Sequence, residues 1–195
     1  MKKRNRFPPA LLLAVLVFFP AASSPAQEAP VPVGLQFQIL FKALFFDRNL
    51  KSRAGDEAVI GIIYQSRNRD SLNVRDAFSQ AARDSSEKDI DGLPFRVVSI
   101  DLDNGIPLEK ALSNDRVVIL YVAPLRAIKV RTISAISLSR KILTLTGMPD
   151  YSKSDIAVSV DSLGGKPQLI INLRVAKAVG CDFSSRLLKL ATVIQ

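Results

Sequence analysis

Apolar residues along the chain recur either at helical spacing or in short continuous runs. The i, i+3, i+4 spacing around Phe37, Phe41 and Phe45 predicts a helix over residues 35–50. Its apolar surface is wider than one stripe, because Ile39 and its neighbours are apolar too. We therefore expect this helix to be buried on more than one side or to meet a partner chain.

Further helices are predicted between the apolar runs. Ser71 or Asn73 can cap an amphipathic helix that contains Phe78. A short helix fits residues 107–112, and Pro124 suits the first turn of another helix. Strands are predicted where β-branched residues form continuous runs, at residues 58–64, 95–102, 117–122 and 142–146.

The C-terminal third begins with two short apolar runs, 156–160 and 169–171, which a Gly-Gly turn joins into a predicted hairpin. Asn172 can then cap a helix that ends at Gly180, a residue suited to a left-handed stop. A final helix is predicted over residues 183–194, with Leu187 and Leu190 inward and Lys189 outward. Alternating helices and strands predict a single layered α/β domain, with a mostly parallel mixed sheet flanked by helices and this β-hairpin near its C-terminal end.

The first 26 residues have the layout of a secretory signal peptide. Lys2, Lys3, Arg4 and Arg6 precede an apolar stretch of about 13 residues, which is shorter than the roughly 20 that span a bilayer. Small residues around Ala26 fit a cleavage site. The sequence thus predicts a cleaved signal peptide at 1–26, a loose Pro-rich leader at 27–34, a domain at 35–195 without a transmembrane segment, and export to the periplasm.

Charge and residue types exclude several classes of function. The signal peptide holds four of the 27 basic residues, which leaves 23 against 18 acidic ones, scattered along the chain. A nucleic-acid partner is not predicted, because no concentrated basic face with aromatic platforms is visible. The chain has no histidine and one cysteine, so we expect no His-based nucleophilic catalysis, no metal site, no cofactor and no internal disulfide. Cys181 is read as a small buried hydrophobe, with an intermolecular thiol as the alternative.

One acid pair follows a predicted strand. Asp101 and Asp103 would lie at the C-terminal edge of the sheet, where α/β folds bind ligands. They could hold a cation or a small ligand, but Asp-x-Asp-Asn-Gly is also ordinary turn chemistry. Both interpretations stay open at this point.

The C-terminal third resembles a known family. Ile171-Asn172-Leu173, Ala176-Lys177, Gly180 and the run 187–191 resemble the closing motif of the YfiR-like periplasmic family, and Lys42-Ala43-Leu44-Phe45-Phe46 resembles the first-helix motif of that family. Residues 48–52 depart from the aromatic-Pro segment that often follows this helix. The resemblance does not imply redox control by an internal disulfide for this chain, because Cys181 is its only cysteine.

The resemblance implies a periplasmic regulator rather than an enzyme. Such a protein would modulate a membrane signalling protein, such as a diguanylate cyclase that makes cyclic di-GMP, by binding its periplasmic domain; a homodimer is also left open. Phe37, Phe41, Phe45, Leu187 and Lys189 are the candidate interaction surface, although each apolar one alone is typical of a core residue. The alternative is a small-molecule-binding module at the edge of the sheet marked by Asp101 and Asp103.

Overall fold

The computed structural model describes residues 30–195. The predicted signal peptide, at residues 1–26, lies outside this range. Within it the chain forms one eight-stranded sheet with helices on both faces. The helices are α1 (Val33–Leu44), α2 (Leu50–Ala54), α3 (Arg69–Asp84), α4 (Leu108–Asn114), α5 (Val130–Ser139), α6 (Leu173–Ala178) and α7 (Ser185–Leu188). The strands are β1 (Ala58–Tyr64), β2 (Asp89–Ile90), β3 (Leu93–Asp101), β4 (Ile119–Val122), β5 (Leu143–Thr146), β6 (Val158–Leu163), β7 (Lys166–Asn172) and β8 (Thr192–Ile194).

The strand order is β2-β3-β1-β4-β5-β6-β7-β8. Strands β3, β1, β4, β5 and β6 run parallel, while β2 and β7 are antiparallel to their neighbours β3 and β6. The predicted fold class is therefore confirmed, including the hairpin near the C-terminus. Chain order reverses direction between β1 and β4, which is the switch point where open α/β sheets bind ligands.

The central strands β1, β4 and β5 are buried at every position, because both faces of the sheet are covered. In β1, Ile60 and Ile62 join the core cluster under α1 and α3, whereas Val59 and Ile63 join the cluster under α4 and α5. Alternate residues of a strand point to opposite faces, so a strand buried on both sides loses the usual alternation of apolar and polar residues.

Four predicted details differ from the structure. The first helix ends at Leu44, because the chain turns there and Asp47 pairs with Phe183 in an isolated β-bridge. Asn68 caps α3 by accepting from the Asp70 N–H, a turn before the predicted caps. Helix α5 begins at Val130 instead of Pro124, since the intervening segment is held by Gln65 and Tyr151.

The predicted final helix is also wrong beyond Leu188. Residues Thr192–Ile194 instead pair in parallel with β7 as strand β8. All three residues are β-branched, which favours an extended strand over a helix. The free edge of β7 supplies the hydrogen-bond partners for this non-local pairing.

Candidate functional site

The end of α1 and the C-terminal segment, which carry the predicted interaction surface, are joined by a short latch between residues 46–48 and 182–184. The Arg48 N–H donates to the Asp182 carbonyl at 3.0 Å, and the Ser184 N–H donates to the Phe46 carbonyl at 2.9 Å. The Asp182 N–H also donates to the Asp47 carboxylate at 2.9 Å. Two segments more than a hundred residues apart in sequence therefore form one surface.

A buried ion pair lies beneath this latch. The Asp47 side chain is fully buried, and the Arg53 guanidinium that pairs with it is 12 % exposed. The Arg53 Nε and Nη1 atoms are buried without a hydrogen-bond partner, so Asp47 is the main source of compensation for that charge. Sequence reasoning missed this pair, because Lys-Ser-Arg after a helix is typical of a solvated loop.

Cys181 lies next to the same ion pair. Its side chain is buried, which confirms the interpretation as a small hydrophobe. Burial raises the pKa of the Cys181 thiol well above its ordinary value; the Arg53 charge opposes this shift and the Asp47 charge adds to it. The thiol is therefore neutral at physiological pH and is not an activated nucleophile.

The structure divides the predicted interaction residues between core and surface. Phe37, Phe41 and Leu187 are at most 4 % exposed, so their side chains belong to the core. Phe45 is 37 % exposed at the end of α1, and Lys189 is exposed just after α7. Leu190, which was predicted to point inward, is 75 % exposed. Phe45 and Lys189 are therefore the accessible members of the predicted set, and Leu190 is an exposed apolar residue next to Lys189.

A basic pocket of about 310 Å³ adjoins the latch. Arg48 and Lys177 contribute its positive charges, and Leu188 and Phe183 contribute apolar walls. Asp182 lies at the same pocket and pairs with Arg48 at 3.4 Å, although both side chains are at least half exposed. An exposed pair of this kind contributes little to stability.

Asp101 and Asp103, at the carboxyl end of β3, hold the loop that follows β1. The Asp101 carboxylate accepts from the Ser66 and Asp103 N–H groups, each at 3.0 Å. The Asp103 carboxylate accepts from the Arg67 N–H at 2.8 Å and from the Gln65 amide at 3.3 Å. Burial alone would raise the pKa of Asp101, but these hydrogen bonds and the Arg75 charge lower it. The two carboxylates therefore stabilise a turn after β3 and the neighbouring loop after β1.

The switch point beside this pair is bridged by side chains. The Gln65 amide oxygen accepts from the Arg126 N–H at 2.6 Å, and the Asn68 amide donates to the Pro124 carbonyl at 3.3 Å. The loops after β1 and β4 are thereby held together. Among residues 30–195, no cluster of three or more His, Cys, Asp or Glu side chains is arranged to hold a metal ion. No helix in that range has the length and apolarity needed to cross a bilayer.

These features define a single α/β domain with a parallel-centred sheet and a latched C-terminal segment. The YfiR/HmsC-like family matches residues 43–192. The chain belongs to this family, whose members are in general periplasmic regulators. A comparison with curated proteins finds no significant match.

Solved structures show the same fold at low sequence identity. The ABC domain from Streptococcus pneumonia in complex with L-Trp is 17 % identical with a TM-score of 0.57, over 84 % of this chain and 62 % of that one. A conserved domain protein from Vibrio cholerae is 10 % identical with a TM-score of 0.57, over 86 % of this chain and 61 % of that one. This chain thus spans about three fifths of the length of those two chains, and the likeness concerns the fold alone.

Proposed function

We propose that this protein is a periplasmic regulator that binds the periplasmic domain of an inner-membrane signalling protein, such as a diguanylate cyclase, and represses or modulates it. The observation that carries the proposal is the family match over residues 43–192. Export by the predicted signal peptide, residues 1–26, would place the domain beside such a partner. Regulation would follow from a higher affinity for one state of the partner than for the other.

The surface proposed for this contact is the latched pair of segments. Phe45 and Leu190 are large apolar side chains that keep much of their area exposed, and Lys189 adds a positive charge between α7 and Leu190. Partly exposed aromatic and apolar residues beside charged ones are typical of protein-protein contacts. The latch fixes the two segments relative to each other, so a partner would meet a preformed surface.

The test is capture from solubilised inner membranes with residues 27–195, followed by cyclic di-GMP measurement in a deletion strain. We expect one membrane signalling protein to be captured and cyclic di-GMP to change when the gene is deleted. Phe45→Asp should abolish capture, whereas Leu163→Asp is the matched control, since Leu163 is 66 % exposed at the hairpin turn. Capture of no membrane protein together with unchanged cyclic di-GMP would rule out the cyclase proposal.

A small-molecule-binding module is the second candidate. The observation in its favour is the convergence of the loops after β1, β3 and β4 at the switch point, through Gln65, Asp103 and Arg126. A thermal-shift screen that includes tryptophan, the ligand of one structurally similar protein, tests it. A large shift that Asp103→Ala removes, without any captured protein, would favour this candidate over the first.

A further inference from the structure

Strand β3 is an edge strand for most of its length. Strand β2 pairs only with Leu93 and Pro94, whereas β1 pairs with β3 from Phe95 to Asp101 along the other side. Within residues 30–195 no strand pairs with the outer side of residues 95–101. A free edge of this length is a template for another strand, and proteins usually protect such edges.

The backbone N–H and C=O groups of β3 point alternately toward β1 and away from the sheet. The Leu102 N–H donates to the Tyr64 carbonyl at 2.9 Å. Residues two apart share a direction in a strand, so the N–H and C=O groups of residues 96, 98 and 100 also point toward β1. Those of Phe95, Val97 and Ser99 therefore point away from the sheet, where a strand could bond to them.

A groove of about 440 Å³ runs along this edge, between β3 and α3. Ala82, Phe95 and Val97 give it an apolar floor, and Arg83, Lys88 and Arg96 add positive charges. No carboxylate among the described residues lines it. The acidic Asp84 and Glu87 line a different groove, between α1 and α3.

Among residues 30–195, no carboxylate forms a salt bridge with Arg83 or Lys88. Arg83 donates to the Gln80 amide oxygen at 2.6 Å, and Lys88 donates to the Ser85 carbonyl at 2.8 Å, so both are held by neutral acceptors. Arg96, in contrast, pairs with the Glu57 carboxylate at 2.8 Å and lies 3.7 Å from that of Asp115. The groove thus presents a positive rim that favours a negatively charged occupant.

We propose that the outer edge of β3 binds an extended acidic segment of a partner protein as an added strand. Main-chain bonds to Phe95, Val97 and Ser99 would give affinity, and acidic side chains toward Arg83 and Lys88 would give selectivity. A second copy of this chain fits less well, because pairing two β3 edges brings the same cations together at the seam. The inference goes beyond the proposed function, since it names another surface and does not depend on the identity of the membrane protein.

The test uses a fluorescein-labelled peptide of alternating Glu and Val, seven residues long, with residues 27–195 and fluorescence anisotropy at low salt. Its controls are the same peptide with Lys for Glu, and the acidic peptide N-methylated at its three central residues. We expect saturable binding of the acidic peptide and at least about tenfold weaker binding of both controls. The N-methylated peptide tests the backbone bonds without any change to the protein.

Protein variants test separately how the groove charges and the backbone hydrogen bonds contribute to peptide binding. Arg83→Glu with Lys88→Glu should weaken binding about tenfold, whereas Lys110→Glu with Lys166→Glu, the same charge change at exposed sites elsewhere, should leave it within about twofold. Val97→Pro removes an outward N–H that the sheet does not use, and edge strands tolerate such a proline. It should also weaken binding in a protein whose circular dichroism is unchanged.

Several outcomes would overturn the proposal. These are no saturable binding of the acidic peptide, equal binding of the N-methylated peptide, or equal effects of the two charge-reversal pairs. A dimer in sedimentation velocity that Val97→Pro dissociates would assign the edge to a second copy instead. Failure of these tests leaves the membrane capture experiment unaffected, so the two hypotheses fail separately.

Discussion

Replacing Asp47 with asparagine tests whether the buried ion pair under the latch stabilises the fold. The substitution keeps the shape of the side chain and one oxygen that can accept from the Asn49 and Asp182 N–H groups, now at 3.1 and 2.9 Å. It removes the negative charge and replaces Oδ2, the oxygen that accepts from Arg53, by an amide N–H donor. Arg53 then keeps a buried guanidinium with no anion beside it.

The expected cost follows from the burial of both partners. The Asp47 side chain is 0 % exposed and that of Arg53 is 12 % exposed. Breaking a buried pair by removing one partner costs about 3–5 kcal/mol. We take the lower end, about 3 kcal/mol, because Arg53 retains some contact with water. For a domain of this size that corresponds to a melting temperature lower by roughly 6–12 °C.

Urea denaturation followed by far-UV circular dichroism measures the change in the free energy of unfolding. Asp182→Asn is the matched control, because its pair with Arg48 is at least half exposed and should contribute less than about 1 kcal/mol. Adding Arg53→Met to Asp47→Asn should recover part of the loss, since the unpaired charge is then gone. A change below about 1 kcal/mol for Asp47→Asn, or purely additive effects in the double variant, would refute the reasoning.

Three further predictions concern the core, a close contact and pH. Phe78→Ala should cost about 3–5 kcal/mol by urea denaturation, because its ring is fully buried, whereas Phe45→Ala should cost about 1 kcal/mol or less; similar costs would contradict the assigned burial. Gly147→Ala places a Cβ in overlap with the buried Gln36 amide oxygen and should lower the melting temperature, while an unchanged value would show that Gln36 moves freely. Burial raises the pKa of the Cys181 thiol in the folded protein above that of the unfolded chain, which is about 8.5. The stability that the buried neutral thiol contributes is therefore fully present below about pH 8.5 and is lost as the pH rises above that value. Between about pH 9 and 10 the free energy of unfolding should thus fall more steeply, by up to about 1.4 kcal/mol per pH unit, than in Cys181→Ala; parallel curves would contradict this.

The parts of the fold that local patterns determine were predictable from the sequence. Strand β1 was predicted with its observed bounds, Ala58–Tyr64, because a continuous β-branched run has one good structural solution between two helix layers. Asn172 caps α6 by accepting from the Val175 N–H, and Gly180 has a φ of +88°, as its place after the helix indicated. Each of these signals lies within a few residues of the feature it specifies.

Features that depend on distant contacts were not predictable. Apolar spacing continues past Leu44 to Phe46, so only the bridge between Asp47 and Phe183 marks the end of α1. The residues of β8 favour a strand locally, but its parallel pairing depends on the free edge of β7, which no local pattern marks. Burial of Phe37, Phe41 and Leu187 was the expected outcome for each alone, but the exposure of Phe45 depends on how α1 packs across the sheet.

The two proposed binding surfaces are connected through the aromatic core. The centroid of the Phe45 ring lies 5.6 Å from that of Phe41, and the Phe41 centroid lies 4.8 Å from that of Phe95 on β3. One partner could therefore place an acidic strand on the β3 edge and an apolar residue against Phe45. If Phe45→Asp and the Arg83→Glu with Lys88→Glu pair both abolish capture of the same membrane protein, they belong to one continuous interface. If capture depends on Phe45 alone, while the acidic peptide still binds the β3 edge, the domain has two separate sites and can join two partners.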